Sequence, residues 1–317
     1  MKVSKGCFRF LLVAITCFLS GCNYSDLKGV TAEGQLVRDY VGLSTSNFQS
    51  LTGNGVTVAV IDSGIQPSEN ISRAKIKAFR DFVNNKSEPY DDNGHGTFIA
   101  NIIAGNNQMH GLSPDVNLIS LKVLDEDLQA DSSSLKEALQ WIYENRKVYS
   151  INIVNISIGI PDHQSDDKTE LARWIHLLRT AGILIVCSAG NNGPDENTIM
   201  VPATFDDVLT VGSVLSNGTL TPDDDRITSF SSRGSGAISK PDLVTLGVNI
   251  RSFDNKEKFV TKSGTSFSAA IVTGVVADLM EKFKDKNADY VEEYLKNATY
   301  PLKVPRKEQG QGELKLR

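Results

Sequence analysis

The chain has 317 residues, of which 40% are hydrophobic and 22% charged, a balance typical of a globular domain with a sizeable core. The formal net charge is −5, and the residues before Cys22 are basic, so the remainder is more acidic still. Such a surface excludes nucleic acid and anionic lipid headgroups as favoured partners.

The N-terminus has the three parts of a bacterial signal peptide. Basic residues come first, and residues 10–19 are apolar but shorter than the roughly 20 residues that a membrane span needs. The segment ends in Leu-Ser-Gly-Cys at Cys22, which resembles the lipobox of lipoproteins, whose cysteine is acylated. We therefore expect a domain outside the cytoplasm, held to the bacterial cell membrane or outer membrane by lipid on Cys22. An ordinary secretory signal is the alternative.

Apolar strand patterns alternate with helical patterns along the rest of the chain. Strands are predicted at 56–61, 117–123, 151–157, 183–189 and 208–214, and helices at 132–147, 169–181 and 266–284. Nearly all-apolar strands that alternate with helices form parallel sheets covered on both faces. We therefore predict an α/β fold with three layers, in which a doubly wound, mostly parallel sheet has helices on both faces.

Polar residues stand out at three places in this pattern. Asp62 follows an apolar strand, where a buried carboxylate needs a partner. His95 lies between two glycines, which let the backbone approach closely and leave the ring reachable. Ser266 opens the longest predicted helix, whose positive dipole end favours an oxyanion. Taken singly, Asp62 fits a turn cap, His95 a surface-loop histidine and Ser266 a helix cap. The combination of all three is a far more specific signal of function than any one of them.

These three segments resemble the motifs of the subtilisin-like serine proteases. Asp62 stands in Asp-Ser-Gly, His95 in His-Gly-Thr and Ser266 in Gly-Thr-Ser, in the chain order known for subtilisin. The resemblance covers residues 53–274. It implies the subtilisin-like fold and a serine endopeptidase that hydrolyses peptide bonds of a polypeptide substrate through an acyl-enzyme, with Asp62, His95 and Ser266 as the catalytic triad.

The same resemblance extends to the residues that would bind the substrate. The segment 188–191 looks like the family's oxyanion loop, which implies that Asn191 donates its side-chain amide to the oxyanion. The segment 155–159 resembles the strand that pairs with the substrate backbone. Together they imply substrate-binding roles for Ser157, Ile158, Gly159, Ser188, Ala189 and Gly190.

Four residues around the triad depart from the family pattern. Phe98, Phe267, Ser268 and Ala270 stand where His, Met, Ala and Pro are usual. The changes at Phe98, Ser268 and Ala270 motivate an alternative, a catalytically impaired lipoprotein that binds peptides on the same fold. An esterase is disfavoured, because no Gly-x-Ser-x-Gly elbow frames Ser266.

The implied chemistry requires no cofactor. The loop at 105–111 looks shorter than the calcium-binding loop of calcium-dependent relatives, so calcium stays an unsupported alternative and no metal ligand is predicted. Cys187 lies in an apolar run and is predicted to be a small buried hydrophobe rather than a nucleophile. We expect a monomer.

We divide the chain into four parts: a signal peptide at 1–21, a tether and lead-in segment at 22–50, a peptidase domain at 51–300 and a short polar tail at 301–317. The second part is too short to be a folding prodomain, which needs at least about 50 residues. The small size, the tether and the lack of a prodomain favour a dedicated processing role, such as removing the leader of an exported peptide. Broad degradation of surface proteins is the alternative.

Overall fold

The chain folds around one large sheet. The computed structural model describes residues 12–13, 34–130, 132–160, 168–236 and 239–317. The sheet has ten strands: β1 (Thr57–Asp62), β2 (Ile76–Asp81), β3 (Asn117–Lys122), β4 (Ile151–Ile156), β5 (Leu184–Ser188), β6 (Leu209–Leu215), β7 (Arg226–Ile227), β8 (Leu243–Leu246), β11 (Thr299–Tyr300) and β12 (Glu313–Leu314). Outside it, β9 (Ile250–Phe253) pairs with β10 (Phe259–Lys262), and Leu12–Val13 pairs with Gln129–Ala130.

Helices connect most of these strands. They are α1 (Gly34–Val41), α2 (His95–Ala104), α3 (Ser132–Asn145), α4 (Lys168–Thr180), α5 (Thr265–Lys282), α6 (Ala288–Asn297) and α7 (Arg306–Gln309). The strands and helices predicted from the sequence are all present, with ends that differ by at most two residues. The helix α2 has no amphipathic pattern to predict it, because all ten of its residues are buried.

The sheet is wound in both directions from β1. Its strand order is β11-β12-β8-β6-β5-β4-β1-β3-β2, with β7 beside β6. All neighbouring pairs from β12 to β2 are parallel, whereas β11 and β7 are antiparallel to their partners. The carboxyl end of β1 is therefore the point where the winding reverses, which is where open α/β sheets bind ligands.

Two apolar cores lie on opposite faces of the sheet. Alternate residues of β1 show this, since Val58 and Val60 belong to the core under α1, α2, α5 and α6, whereas Ala59 and Ile61 belong to the core under α3 and α4. The predicted three-layer arrangement is confirmed.

Residues 301–317 are more than the polar tail that the sequence suggested. They include α7 and β12, and Leu314 and Leu316 are buried in the first core. The charged residues that alternate with these leucines are also buried: Glu313 accepts a hydrogen bond from the Tyr40 hydroxyl. The segment can be buried despite its charged sequence, because its charged side chains bond to groups in α1 rather than to water.

Candidate active site

Asp62 and His95 meet at the carboxyl end of β1. Asp62 ends this strand and is fully buried, and His95 begins α2. The ring nitrogen Nδ1 of His95 lies 2.8 Å from Oδ1 of Asp62. A Cβ on Gly96 would lie 2.1 Å from the Gly64 carbonyl oxygen, so only glycine lets the helix start come this close. The carboxylate fixes the ring orientation and leaves Nε2 on the far side of the ring.

Asp91 organises the turn that carries the histidine, a role that the sequence reasoning missed. Its buried carboxylate accepts hydrogen bonds from the Ser63 hydroxyl at 2.9 Å, the Gly94 N–H at 2.7 Å and the Thr97 N–H at 2.9 Å. It also accepts from the N–H of Asn93 and the hydroxyl of Thr97. An acidic residue just before a buried helix start is a capping signal that could have indicated this role.

Lys122 joins the same turn to the strand ends and was also missed. It is fully buried, and its ammonium group donates to the carbonyl oxygens of Ser63 at 2.8 Å and Leu124 at 2.6 Å and to Asp92 Oδ1 at 2.5 Å. The lysine at the end of the apolar strand β3 was the available signal, since a charge buried there needs oxygen partners. Its contacts fix the backbone on both sides of the Asp62–His95 pair.

Ser266 lies in the first turn of α5 beside this pair. Its hydroxyl donates to the Ser157 carbonyl oxygen at 3.1 Å, and the Ser157 hydroxyl donates back to the Ser266 carbonyl oxygen at 3.3 Å. The next residue, Phe267, packs with its ring centroid 5.7 Å from that of His95. The structure thus places the residue after Ser266 against the His95 ring, and the Ser266 hydroxyl is bonded to Ser157.

The side chain of Asn191 is fixed against the start of α5. Its Oδ1 accepts hydrogen bonds from the Thr265 N–H and the Thr265 hydroxyl, both at 3.0 Å. The Thr265 hydroxyl also accepts from the Gly190 N–H at 3.2 Å. The amide end of Asn191 lies beside Gly264, where an added Cβ would be 3.4 Å from Nδ2. This amide and the N–H groups of the first helical turn are hydrogen-bond donors that can stabilise a negatively charged oxygen.

The residues that depart from the family pattern are packed around the site. Phe98 and Phe267 contact each other with ring centroids 4.7 Å apart. Ser268 is buried and donates to the Leu246 carbonyl oxygen at 2.9 Å, and Ala270 is buried in the core. The two aromatic departures therefore form one pair, of which Phe267 lies against the His95 ring in a tilted arrangement.

The six residues assigned to substrate binding take two different positions. Ile158 and Ala189 are buried in the second core, so their backbone rather than their side chains lies toward the site. Ser157 contacts Ser266 directly, and Ser188 is also buried. Gly159 and Gly190 both contact a residue that the sequence reasoning did not single out, Met200.

Other predicted features fall outside this site. Cys187 is fully buried, and burial raises the pKa of its thiol well above the ordinary value, which confirms the structural role predicted for it. Cys22 lies outside the described residues. Across the described ranges, no helix has the length and apolarity to cross a membrane, and no three His, Cys, Asp or Glu side chains cluster as metal ligands.

Known proteins match most of this chain in sequence. The model of the subtilase family matches residues 53–313. The serine protease AprX of Bacillus subtilis (strain 168) is 37% identical over an alignment of 281 residues that covers 80% of this chain and 63% of AprX. Subtilisin BL of Lederbergia lenta is 29% identical over 257 residues, 80% of this chain and 87% of that protein. The chain thus spans less than two thirds of AprX.

Solved structures show the same fold. A chain described as the S41 psychrophilic protease superposes with a TM-score of 0.77 at 22% identity, covering 91% of this chain and 100% of that one. A cold-adapted subtilisin-like serine proteinase superposes with a TM-score of 0.68 at 25% identity, covering 84% of this chain and 91% of that one. The subtilisin-like architecture predicted from the sequence is confirmed.

Proposed function

The chain belongs to the subtilase family, and on this premise we propose that it is a serine endopeptidase that works through a Ser266 acyl-enzyme. The observation that carries the proposal is the 2.8 Å contact between Asp62 and His95 beside the helix start that holds Ser266. The named relatives are serine proteases, which supports the same activity here.

The first half of the reaction forms the acyl-enzyme. The Ser266 oxygen attacks the peptide carbonyl carbon while Nε2 of His95 takes its proton, and Asp62 holds the ring and stabilises its charged form. The Asn191 amide and the Ser266 N–H stabilise the oxyanion. The C–N bond then breaks as His95 returns the proton to the leaving amine.

The second half releases the product. A water molecule gives a proton to His95 and attacks the ester carbonyl carbon, and the C–O bond to Ser266 breaks as the serine recovers its proton. Asp62 remains ionised throughout. The triad side chains and the oxyanion donors suffice for every step of this scheme.

Labelling with a fluorophosphonate probe tests the activated serine. The full chain should be labelled, and the Ser266→Ala variant should not. No labelling of a correctly folded wild-type chain would contradict the proposal and favour the peptide-binding alternative. No specific contact supports that alternative: Phe98 packs on Phe267, Ser268 donates to the Leu246 carbonyl oxygen, and Ala270 lies in the core.

We propose that the loop at 105–111 is held without calcium. The amide oxygen of Asn70 accepts hydrogen bonds from the N–H groups of Asn107 and Met109, both at 3.1 Å. The Asn70 carbonyl oxygen accepts another from the Asn106 N–H at 3.0 Å. The loop backbone thus points its N–H donors toward Asn70, whereas a calcium site needs several oxygen atoms that point toward one ion.

We also propose that lipid on Cys22 tethers a monomeric enzyme to the outside of the cell membrane or outer membrane, where it processes an exported peptide. The support is the basic, apolar and lipobox-like order of residues 1–22. Metabolic labelling with an alkyne fatty acid should mark the wild-type chain and not the Cys22→Ala variant. Unselective digestion of unfolded casein by the purified enzyme would contradict the processing role.

A further inference from the structure

Two hydrogen bonds of Ser232 enclose Asn191, the proposed oxyanion donor. The Ser232 N–H donates to the Gly190 carbonyl oxygen at 3.0 Å, and the Ser232 hydroxyl oxygen accepts from the Asn192 N–H at 3.1 Å. The Gly190 carbonyl belongs to the peptide group before the Asn191 Cα, and the Asn192 N–H belongs to the peptide group after it. One fully buried serine therefore holds both peptide groups that orient the Asn191 side chain.

The backbone at this point needs such support. Gly190 has a φ of +108°, and because glycine has no Cβ the chain itself does not fix the direction in which Asn191 leaves β5. Thr265 bonds to the Gly190 N–H and to the side-chain oxygen of Asn191. Ser232 supplies the contacts to the Gly190 carbonyl and to the Asn192 N–H, so the two residues hold different groups of the same turn.

The segment that carries Ser232 is itself fixed by the C-terminal part of the chain. The Gly234 N–H donates to the Lys307 carbonyl oxygen at 3.0 Å. Arg233 forms an ion pair with Glu308 at 3.1 Å, and their side chains are only 20% and 15% exposed. The short helix α7 thus braces the residues that follow Ser232, which keeps its N–H and hydroxyl in place beside the Asn191 turn.

We propose that Ser232 is a positioning residue for the reaction, which acts through Asn191 by holding the two peptide groups that aim its amide at the oxyanion. The inference rests on the proposed endopeptidase function. The oxyanion exists only along the reaction path, so a misplaced amide lowers the rate and leaves substrate binding unchanged. Geometry matters here because a displacement of about 1 Å can cost on the order of 100-fold in rate.

The neighbouring serine gives a matched control for Ser232→Ala. Ser231 is also fully buried, and its hydroxyl oxygen also accepts from one backbone N–H, that of Ser213 in β6, at 3.0 Å. Both alanine variants lose one acceptor, but only Ser232→Ala releases the peptide group after Asn191. The measurement is steady-state hydrolysis of one fluorogenic peptide that the wild type cleaves, with circular dichroism as the check on folding. We expect Ser232→Ala to lower kcat about tenfold with KM within about twofold, and Ser231→Ala to keep kcat within about twofold.

A second comparison shows whether the effect passes through Asn191. The Asn191→Ala variant has no amide to position, so adding Ser232→Ala to it should lower kcat further by less than about twofold. Ser232→Cys places a weaker acceptor at the same position and should lower kcat by less than Ser232→Ala does. If Ser232→Ala does not fold, Ser232→Cys takes its place in both backgrounds.

Three results would overturn the inference. They are an equal decrease of kcat with and without the Asn191 amide, an effect confined to KM, and a decrease of kcat that Ser231→Ala shares. In each case, fluorophosphonate labelling of the wild type would still support the endopeptidase. Failure of the wild type to label would overturn both the inference and the proposed function.

Discussion

Ser266 and Ser157 form a reciprocal pair in which each hydroxyl donates to the carbonyl oxygen of the other residue, at 3.1 and 3.3 Å. The pair joins the start of α5 to the end of β4. Before Ser266 can give its proton to His95, its hydroxyl must leave the Ser157 carbonyl oxygen. The two serines are therefore similar in burial and bonding but different in the role that we propose.

Single alanine variants of this pair should separate chemistry from structure. Ser266→Ala should abolish peptide hydrolysis and retain the fold, because only one hydroxyl hydrogen bond is lost. Ser157→Ala keeps the carbonyl oxygen and loses bonds to Ser266 and Asn155, so it should lower the free energy of unfolding by about 1 kcal/mol and reduce kcat/KM only modestly. Peptide hydrolysis and urea unfolding measure the two effects, and hydrolysis by Ser266→Ala at the wild-type rate would refute the assignment of the nucleophile.

Replacing the carboxylate at Asp62 should disable the histidine without disturbing the fold. In Asp62→Asn the group 2.8 Å from His95 Nδ1 can no longer fix the ring in the required tautomer. The same change costs about 10⁴-fold in kcat in another serine protease, and we expect a loss of that order. Steady-state hydrolysis measures it, with circular dichroism as the check on folding. A loss under tenfold would show that Asp62 does not orient the base.

The amide of Asn191 should act on the rate rather than on substrate binding. Asn191→Ala is expected to lower kcat by about 10²–10³-fold with little change in KM, because the oxyanion exists only along the reaction path. Thr265→Val removes one of the two donors that fix Asn191 Oδ1 and should produce a smaller decrease in kcat. An effect of Asn191→Ala confined to KM would contradict the role of oxyanion donor.

The loop at 105–111 should depend on Asn70 rather than on calcium. Asn70→Ala leaves the N–H groups of Asn107 and Met109 without their acceptor and should lower the free energy of unfolding by about 1–3 kcal/mol. EDTA should leave the thermal unfolding temperature of the wild type unchanged. A decrease in that temperature with EDTA, reversed by added Ca²⁺, would show that the chain holds a calcium ion.

Stability should depend on pH through Asp278 in α5. Burial raises the pKa of this carboxyl from 3.8 to about 7, and it outweighs the hydrogen bond from Ser113 and the nearby Arg38, both of which favour the charged form. A raised pKa means that the folded state binds more protons, so stability falls as the pH rises from about 4 to about 7, by on the order of 1 kcal/mol per pH unit from this group.

The comparison with Asp278→Asn isolates that contribution. The variant cannot bind the proton, so its free energy of unfolding should fall less steeply over the same pH range. Urea titrations at four or five pH values would measure both slopes. Equal slopes for the wild type and the variant would show that Asp278 is not the group responsible.

The sequence by itself determined the architecture and the residues at the centre of the site. Continuous apolar strands such as β1 and β5 require a sheet buried on both faces, and polar residues at their ends are costly unless they have a function or a partner. That local pattern singled out Asp62 and His95, whereas the roles of these residues and of Asn191 were implied by the resemblance of their motifs to the subtilisin-like proteases. The local pattern was also enough to predict that Cys187 is buried.

Only the tertiary structure decided which distant groups support that centre. Asp91 and Lys122 look ordinary in the sequence, because their roles arise from contacts with segments that are far away along the chain. The burial of Leu314 and Leu316 was hidden for the same reason, since the neighbouring Glu313 and Lys315 are hydrogen-bonded to Tyr40 of α1. Hydrophobic periodicity reports a residue's own surroundings along one element, whereas a partner across the fold exists only once the chain is packed.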